Sequence, residues 1–190
     1  MRKLIVSEFV SLDGVMEAPG GEADFKHTGW VLDHGHDEAG GEYKLNEVRE
    51  AEALLLGRVT YDGFSAAWTK RSGEFADKFN TMPKYVVSTT LTEPLEWENS
   101  TLISGDVPEE IAKLKQSDGG DIMVNGSRTL VHTLYEHDLV DEYRIMVFPV
   151  VLGSGRRLFP DDAGDKRKLE LVDSKTFGNG VAVHTYHPAR

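Results

Sequence analysis

Short, unbroken apolar runs recur along this chain, each stopped by a glycine or a polar turn, and most have a helix-forming stretch close behind. Leu4-Ile5-Val6, Leu54-Leu55-Leu56, Tyr85-Val86-Val87 and Ile122-Met123-Val124 are the clearest. A strand with one face in solvent alternates apolar and polar residues, whereas a strand covered on both faces reads as a continuous run. Between the runs, Tyr43–Ala53 is rich in helix formers, and Val59–Phe64 and Glu74–Asn80 are further helical candidates. Asp106-Val107-Pro108-Glu109 opens a helix that reaches about Gln116 and is closed by Gly119-Gly120. Asp106 is its cap, with proline in the first turn and glutamate three residues after the cap. The pattern changes near the C-terminus. Val140–Val147 puts Tyr143, Ile145 and Val147 on one side, and Lys168–Phe177 and Val181–His187 flank the turn Gly178-Asn179-Gly180, a hairpin signal. Strand–helix alternation with an antiparallel end implies an α/β fold around a central mixed, mostly parallel sheet. With no repeat and no low-complexity linker, 190 residues read as a single domain, 1–190.

The long glycine-rich segment Glu17–Gly41 interrupts this order and reads as a loop. Phe25, Trp30, Val31 and Leu32 are too apolar for a free tail, so part of it is expected to pack. Composition narrows the function classes. At 39% apolar and 28% charged residues the chain resembles ordinary globular proteins. No apolar run nears the roughly 20 residues of a membrane span. Ser7 and Glu8 interrupt Leu4–Val10, so the N-terminus reads as a strand and not as the core of a signal peptide. With no cysteine there is no disulfide, thiol nucleophile or cysteine metal site, and a cytoplasmic location fits. The net charge of −11, from 21 basic and 32 acidic residues, argues against a nucleic-acid partner. The basic patches Arg156-Arg157 and Lys166-Arg167-Lys168 read as solvated loop charges.

In open α/β sheets, ligands gather where the strands end. Four strand ends carry suitable residues: Ser11–Gly14, Gly57–Thr60, Ser88–Thr90 and Asn125–Ser127. Gly57 and Gly126 stand at helix starts, where free N–H groups and the positive end of the helix dipole favour an anion. Gly126 lets the backbone approach a ligand without a Cβ in the way, and Ser127 is placed to cap the following helix. Arg58 suits a bidentate phosphate contact and Thr60 can add a hydroxyl. The set suits a diphosphate with a nearby ribose. The chain has no GxGxxG, no GxxxxGK[ST] and no GxSxG. His34, His36 and Asp37, and the pair His184 and His187, lack a third ligand at a recognised spacing, so no metal is expected.

At Leu54-Leu55-Leu56-Gly57-Arg58-Val59-Thr60-Tyr61 the chain resembles the dihydrofolate reductase-like superfamily. More narrowly, it resembles stand-alone relatives of the C-terminal reductase domain of the bacterial bifunctional riboflavin-biosynthesis deaminase–reductase. Val10-Ser11-Leu12-Asp13-Gly14-Val15, Lys84–Ser88, Ile122–Ser127 and Phe148–Gly155 agree with it in order and spacing, so the resemblance covers almost the whole chain. It implies a three-layer α/β/α fold and NADPH as cofactor. On that resemblance Gly57, Arg58, Val59 and Thr60 flank the pyrophosphate, facing Asn125, Gly126, Ser127, Arg128 and Thr129. Ser88, Thr89 and Thr90 would lie by the adenosine ribose phosphate, and Val10, Ser11 and Gly14 along the nicotinamide. The family commonly has Gly-Gly where this chain has Gly126-Ser127.

The expected activity is hydride transfer from NADPH to a small heterocyclic or ribosyl-imine substrate. Reduction of the phosphoribosylamino-uracil of riboflavin biosynthesis is the default, and a homodimer is implied by the resemblance. Asp13 and Asp33 are the candidate proton donors, with Asp37 a further acid of the same region. The alternatives are a non-catalytic nucleotide-binding module of the same fold and a reductase of pterin or dihydrofolate-like substrates.

Overall fold

In the computed structural model, which describes residues 1–21, 24–161 and 166–189, each apolar run is a strand of one sheet. The strands are β1 (Leu4–Ser11), β2 (Ala53–Gly57), β3 (Lys84–Val87), β4 (Ser100–Ile103), β5 (Ile122–Val124), β6 (Glu142–Phe148), β7 (Leu169–Thr176) and β8 (Ala182–Pro188). They lie in the order β4-β3-β2-β5-β1-β6-β8-β7. From β4 to β6 every pairing is parallel, while β8 joins β6 antiparallel and β7 closes the edge as its hairpin partner. The helices are α1 (Glu38–Glu50), α2 (Arg58–Trp68), α3 (Glu74–Thr81), α4 (Val107–Gln116) and α5 (Arg128–Glu136).

The unbroken apolar runs are explained by two cores. Leu4, Val6, Leu55, Ile122 and Val124 pack on one face with Ile111 of α4 and Leu130, Val131 and Leu134 of α5. Leu54, Leu56, Val86 and Met123 face the other way, against Val48 of α1, Tyr61 of α2 and Phe79 of α3. Successive strand residues point to opposite faces, so a sheet with helices on both sides makes apolar residues the rule at every position of its central strands. On the α1 side the sheet continues into a third cluster, where Trp30, Met146, Phe148, Phe177 and Val183 meet.

The Glu17–Gly41 segment departs from a plain loop. Trp30–His34 forms a 3-10 helix, with Trp30 buried and its Nε1 donating to the Glu17 carbonyl at 2.8 Å. Helix α1 starts at Glu38, so Gly40 and Gly41 lie in its first turns, and it ends at Glu50, leaving Ala53 to open β2. Two tertiary contacts set this start. The Asp37 carboxylate accepts from the Gly40 amide at 2.8 Å and from the Gly178 amide of the hairpin turn at 3.0 Å. A Cβ at Gly40 would lie 3.6 Å from the Phe177 ring, an ordinary packing distance, so this turn of the helix lies against the hairpin. Glu22 and Ala23 of that segment lie outside the described residues. Among the described residues no helix is long and apolar enough to cross a membrane.

Candidate active site

β5 is three residues long and stops opposite Val6 of β1 and Leu55 of β2. Both neighbours run on: β1 through Ser7–Ser11 beside β6, β2 through Leu56 and Gly57 beside β3. The sheet is therefore notched at the carboxyl end of β5, and Asn125-Gly126-Ser127 fills the floor of the notch. Asn125 ties this turn to the β1 wall, its Nδ2 donating to the Ser7 carbonyl at 2.8 Å.

The two glycine turns meet here. The Gly57 amide donates to the Gly126 carbonyl at 3.1 Å, and the Gly126–Ser127 peptide is cis. A Cβ on Gly57 would lie 2.2 Å from Ser127 Oγ and 2.9 Å from its amide nitrogen. A Cβ on Gly126, whose φ is +98°, would lie 2.7 Å from Thr60 Oγ1. The empty side of each glycine thus receives the other turn, Ser127 beside Gly57 and the Thr60 side chain beside Gly126. Ser127 stands at the N-cap of α5, but its hydroxyl makes no cap hydrogen bond because the side chain is turned into the space beside Gly57. Gly57 likewise offers α2 no side-chain cap. Two helix starts, neither satisfied by a side-chain cap, are brought side by side, so their N–H groups and dipoles add at one place.

The other sequence-predicted residues fall around this point with different parts to play. Ser88 Oγ accepts from the amides of Thr90 at 3.1 Å and Leu91 at 3.0 Å, so it shapes the turn after β3 and leaves Thr89 and Thr90 exposed. Arg58 is half-exposed and pairs with Asp62 one turn along at 2.8 Å. Arg128 donates from Nε to the Arg157 carbonyl at 3.2 Å, and Thr129 beside it is exposed. Val59, at the exposed start of α2, and Leu12 and Val151, exposed around the end of β1, give the rim an apolar component. Val10 is buried in the α5-side core, and Ser11 is fully buried. Gly14 has φ +82° and nothing within 4 Å of where a Cβ would stand, so its open side faces free space.

Asp13 holds loops. It accepts from Ser11 Oγ at 2.6 Å and from the amides of Leu152 at 3.1 Å and Gly153 at 2.9 Å, which ties the Leu152–Gly155 segment to the end of β1. The Ser11 hydroxyl foremost, and then those amides, hold its carboxyl down at about 2 despite some desolvation. Such a group has no proton to give at neutral pH. Asp33 is exposed on the 3-10 helix, and Asp37 caps α1. The histidines are dispersed: His34 stacks edge-on against Phe148, His184 meets Ser174, and His187 meets Glu142. Arg167, read as a solvated charge, lies over the Tyr135 ring at 4.3 Å and bonds Asp138 at 2.6 Å.

Two groups that pattern reading passed over stand at the site. Glu8 lies on β1 beyond the reach of β5, on the α5 side with Val6 and Val10. It is buried, its Oε1 has no hydrogen-bond partner among the described residues, and that oxygen lies 3.8 Å from where a Cβ on Gly126 would stand. Burial pushes its carboxyl up to about 8, against the pull of the Lys44 charge. On the opposite side of β1, Phe9, Met146, Phe148, Phe177 and Val181 line a cleft of ≈ 170 Å³ that Lys44 and His36 also border. Lys44 Nζ lies 2.6 Å from Ser7 Oγ, 2.5 Å from Glu47 Oε2 and 5.1 Å from the Phe9 ring centre. An acid inside a strand covered on both faces was the available signal for Glu8. Nothing in the pattern of α1 marked Lys44.

A mixed sheet of this order, notched at a central strand and covered on both faces, is a dihydrofolate reductase-like fold. A solved structure of Enterococcus faecalis dihydrofolate reductase, complexed with NADP(H), superposes with a TM-score of 0.60 at 16% identity, covering 99% of this chain and 97% of that one. The RibD C-terminal domain model matches residues 2–183, and the chain belongs to that family. The uncharacterised YyaP protein of Bacillus subtilis is 32% identical over 192 residues, covering 98% of this chain and 95% of YyaP. A Shewanella protein provisionally assigned to riboflavin biosynthesis superposes with a TM-score of 0.75 at 25% identity, over 99% of both chains.

Proposed function

We propose that the protein is an NADPH-dependent reductase acting on a small, flat, polar substrate, a heterocycle or ribosyl imine, with the phosphoribosylamino-uracil of riboflavin biosynthesis the first candidate. The observation that carries this reading is the side-by-side placement of the α2 and α5 starts, neither with a side-chain cap. That arrangement fits a diphosphate, with exposed Thr89 and Thr90 placed for an adenosine-side phosphate and Gly14 leaving room at the end of β1. The bound cofactor would supply a hydride, and the chain must supply position and a proton. Phe9 and Phe148 give the α1-side cleft an aromatic floor for a flat ring, and Lys44 is the proton source for the acceptor heteroatom, in the place first sought at Asp13. On this reading the protein works in the cytoplasm, as a dimer of like chains.

Titrating the protein with NADPH and following cofactor fluorescence tests the binding half. Absence of binding at sub-millimolar cofactor sinks the reading. Cofactor oxidation with aminouracil, pterin and quinone acceptors tests the chemistry, and Lys44→Met should lower kcat/KM by about 100-fold, the scale of one general acid. A second reading, a nucleotide-binding module without catalysis, is favoured by the ionised state of Asp13. NADPH binding with no oxidation across those acceptors would select it.

A further inference from the structure

We infer that Glu8 sets the charge of the notch: an anionic diphosphate settles at the α2 and α5 starts only with Glu8 protonated. This rests on the assignment of the notch as the nucleotide site. The geometry comes from the short β5. Because β5 ends opposite Val6, the Glu8 side chain has no β5 residue beside it and extends under the Gly126 turn, where Thr60 of α2 closes the other side. Its Oε1 is buried with no donor to meet it among the described residues. A diphosphate at the helix starts would bring a second acid group close to the Glu8 carboxyl. An ionised Glu8 in this buried position would repel that diphosphate, because burial leaves little water to screen the two charges. Protonation of Glu8 removes the conflict and turns an unpaired acceptor into a donor.

The surrounding charges leave Glu8 open to this change. Lys44 on α1 is the cation acting on it, and it favours the ionised form. Lys44 is itself committed to Glu47, which also lies 3.7 Å from Arg144. Opposite Glu8 on β6 stands Ile145, an apolar neighbour. The arginines at the helix starts are engaged elsewhere, Arg58 with Asp62 and Arg128 with the Arg157 carbonyl. His132 of α5 faces the Arg157-Leu158 backbone.

The sign of the linkage follows. In the free protein burial holds Glu8 protonated up to about pH 8, and a bound anion raises that midpoint further. Affinity is then flat while Glu8 is protonated in both states, and falls by up to about tenfold per pH unit above the free-protein midpoint. Proton uptake on binding appears over the same range.

The test is calorimetric titration with NADPH from about pH 6 to about pH 9.5, in buffers of different ionisation enthalpy, on the parent and on Glu8→Gln. The expected result is proton uptake and weakening affinity above about pH 8 in the parent, and neither in the variant. Carbon-13 NMR of the parent's glutamate carboxyls, with and without NADPH, reads the same event independently of how the variant folds. One buried carboxyl should titrate near 8 and move upward with ligand. NADPH binding without proton uptake, or with the same pH dependence in Glu8→Gln, overturns the inference and leaves the nucleotide site standing. If NADPH fails to bind, inorganic diphosphate is the second probe. Proton-coupled diphosphate binding upholds the Glu8 role while rejecting the dinucleotide, and uncoupled or absent diphosphate binding overturns it.

Discussion

Glu8 and Asp13 lie five positions apart around the end of β1, and the fold treats their carboxyls in opposite ways. Glu8 is buried, its Oε1 without a donor among the described residues, and is pushed up from 4.5 to about 8. Its raised pKa means the native state holds a proton that the unfolded chain releases above 4.5. The associated stability is present below that value and is lost as pH rises through about 8. Glu8→Gln keeps the shape and removes the titration. At pH 8 it should be more stable than the parent by about 2–4 kcal/mol, with the gap closing toward pH 4.5, as read by urea unfolding at a series of pH values. Asp13 is held below its ordinary 3.8, at about 2, by Ser11 and two loop amides. Its stabilising effect is present above 3.8 and lost as pH falls through about 2. Hydrogen exchange at the Leu152 and Gly153 amides should accelerate on acidification relative to distant amides, and Asp13→Asn should abolish that pH dependence.

At the level of elements, the decisive contact is between the turn that begins α2 and the turn that begins α5. Ser127 opens α5, and Gly57 is the residue that makes room for it. A side chain on Gly57 would overlap Ser127 Oγ at 2.2 Å and the backbone nitrogen at 2.9 Å. Gly57→Ala should therefore destabilise by about 1–3 kcal/mol and weaken NADPH binding by separating the helix starts. Adding Ser127→Gly removes the hydroxyl overlap but not the backbone one, so the double variant should recover part of the loss. Full additivity of the two changes in thermal unfolding would show that the turns do not pack on one another.

At the scale of the molecule the sheet has two unlike edges. β4 is a short strand, while β7 runs Leu169–Thr176 and is exposed along nearly its whole length. Leu171 and Val172, at a bulge where Val172 has no partner on β8, are about half-exposed. A long edge strand with apolar residues and unpaired backbone groups is a template for another strand. The proposed homodimer is best accommodated here, by pairing with a second copy. Val172→Lys should then shift the protein toward monomer in light scattering at micromolar concentration, with α/β circular dichroism unchanged. A parent that is already monomeric under those conditions rejects the dimer.

The sequence by itself carried the layers. Unbroken apolar runs state that both faces of the sheet are covered, and the alternation of strands and helices states that the sheet is mostly parallel. The helix Val107–Gln116 was legible to the residue because Asp106 caps it locally, with its Oδ1 3.0 Å from the Glu109 amide. The strand ends that form the notch were legible for the same reason, since glycine, hydroxyl and turn residues act on their immediate neighbours. The start of α1 was not. Gly40 and Gly41 argue against helix locally, and what admits them is Asp37 capping the turn while the hairpin carrying Phe177 and Gly178 comes close from the far end of the chain. Only the tertiary structure decided which way the side chains of the site point. It turned the Ser127 hydroxyl into the space beside Gly57, used Asp13 as a tie between loops, and left Glu8 without a donor under the Gly126 turn. Local residue types fix what a segment can form. Burial and partners across the sheet fix the charge a side chain carries, because they come from residues distant in sequence.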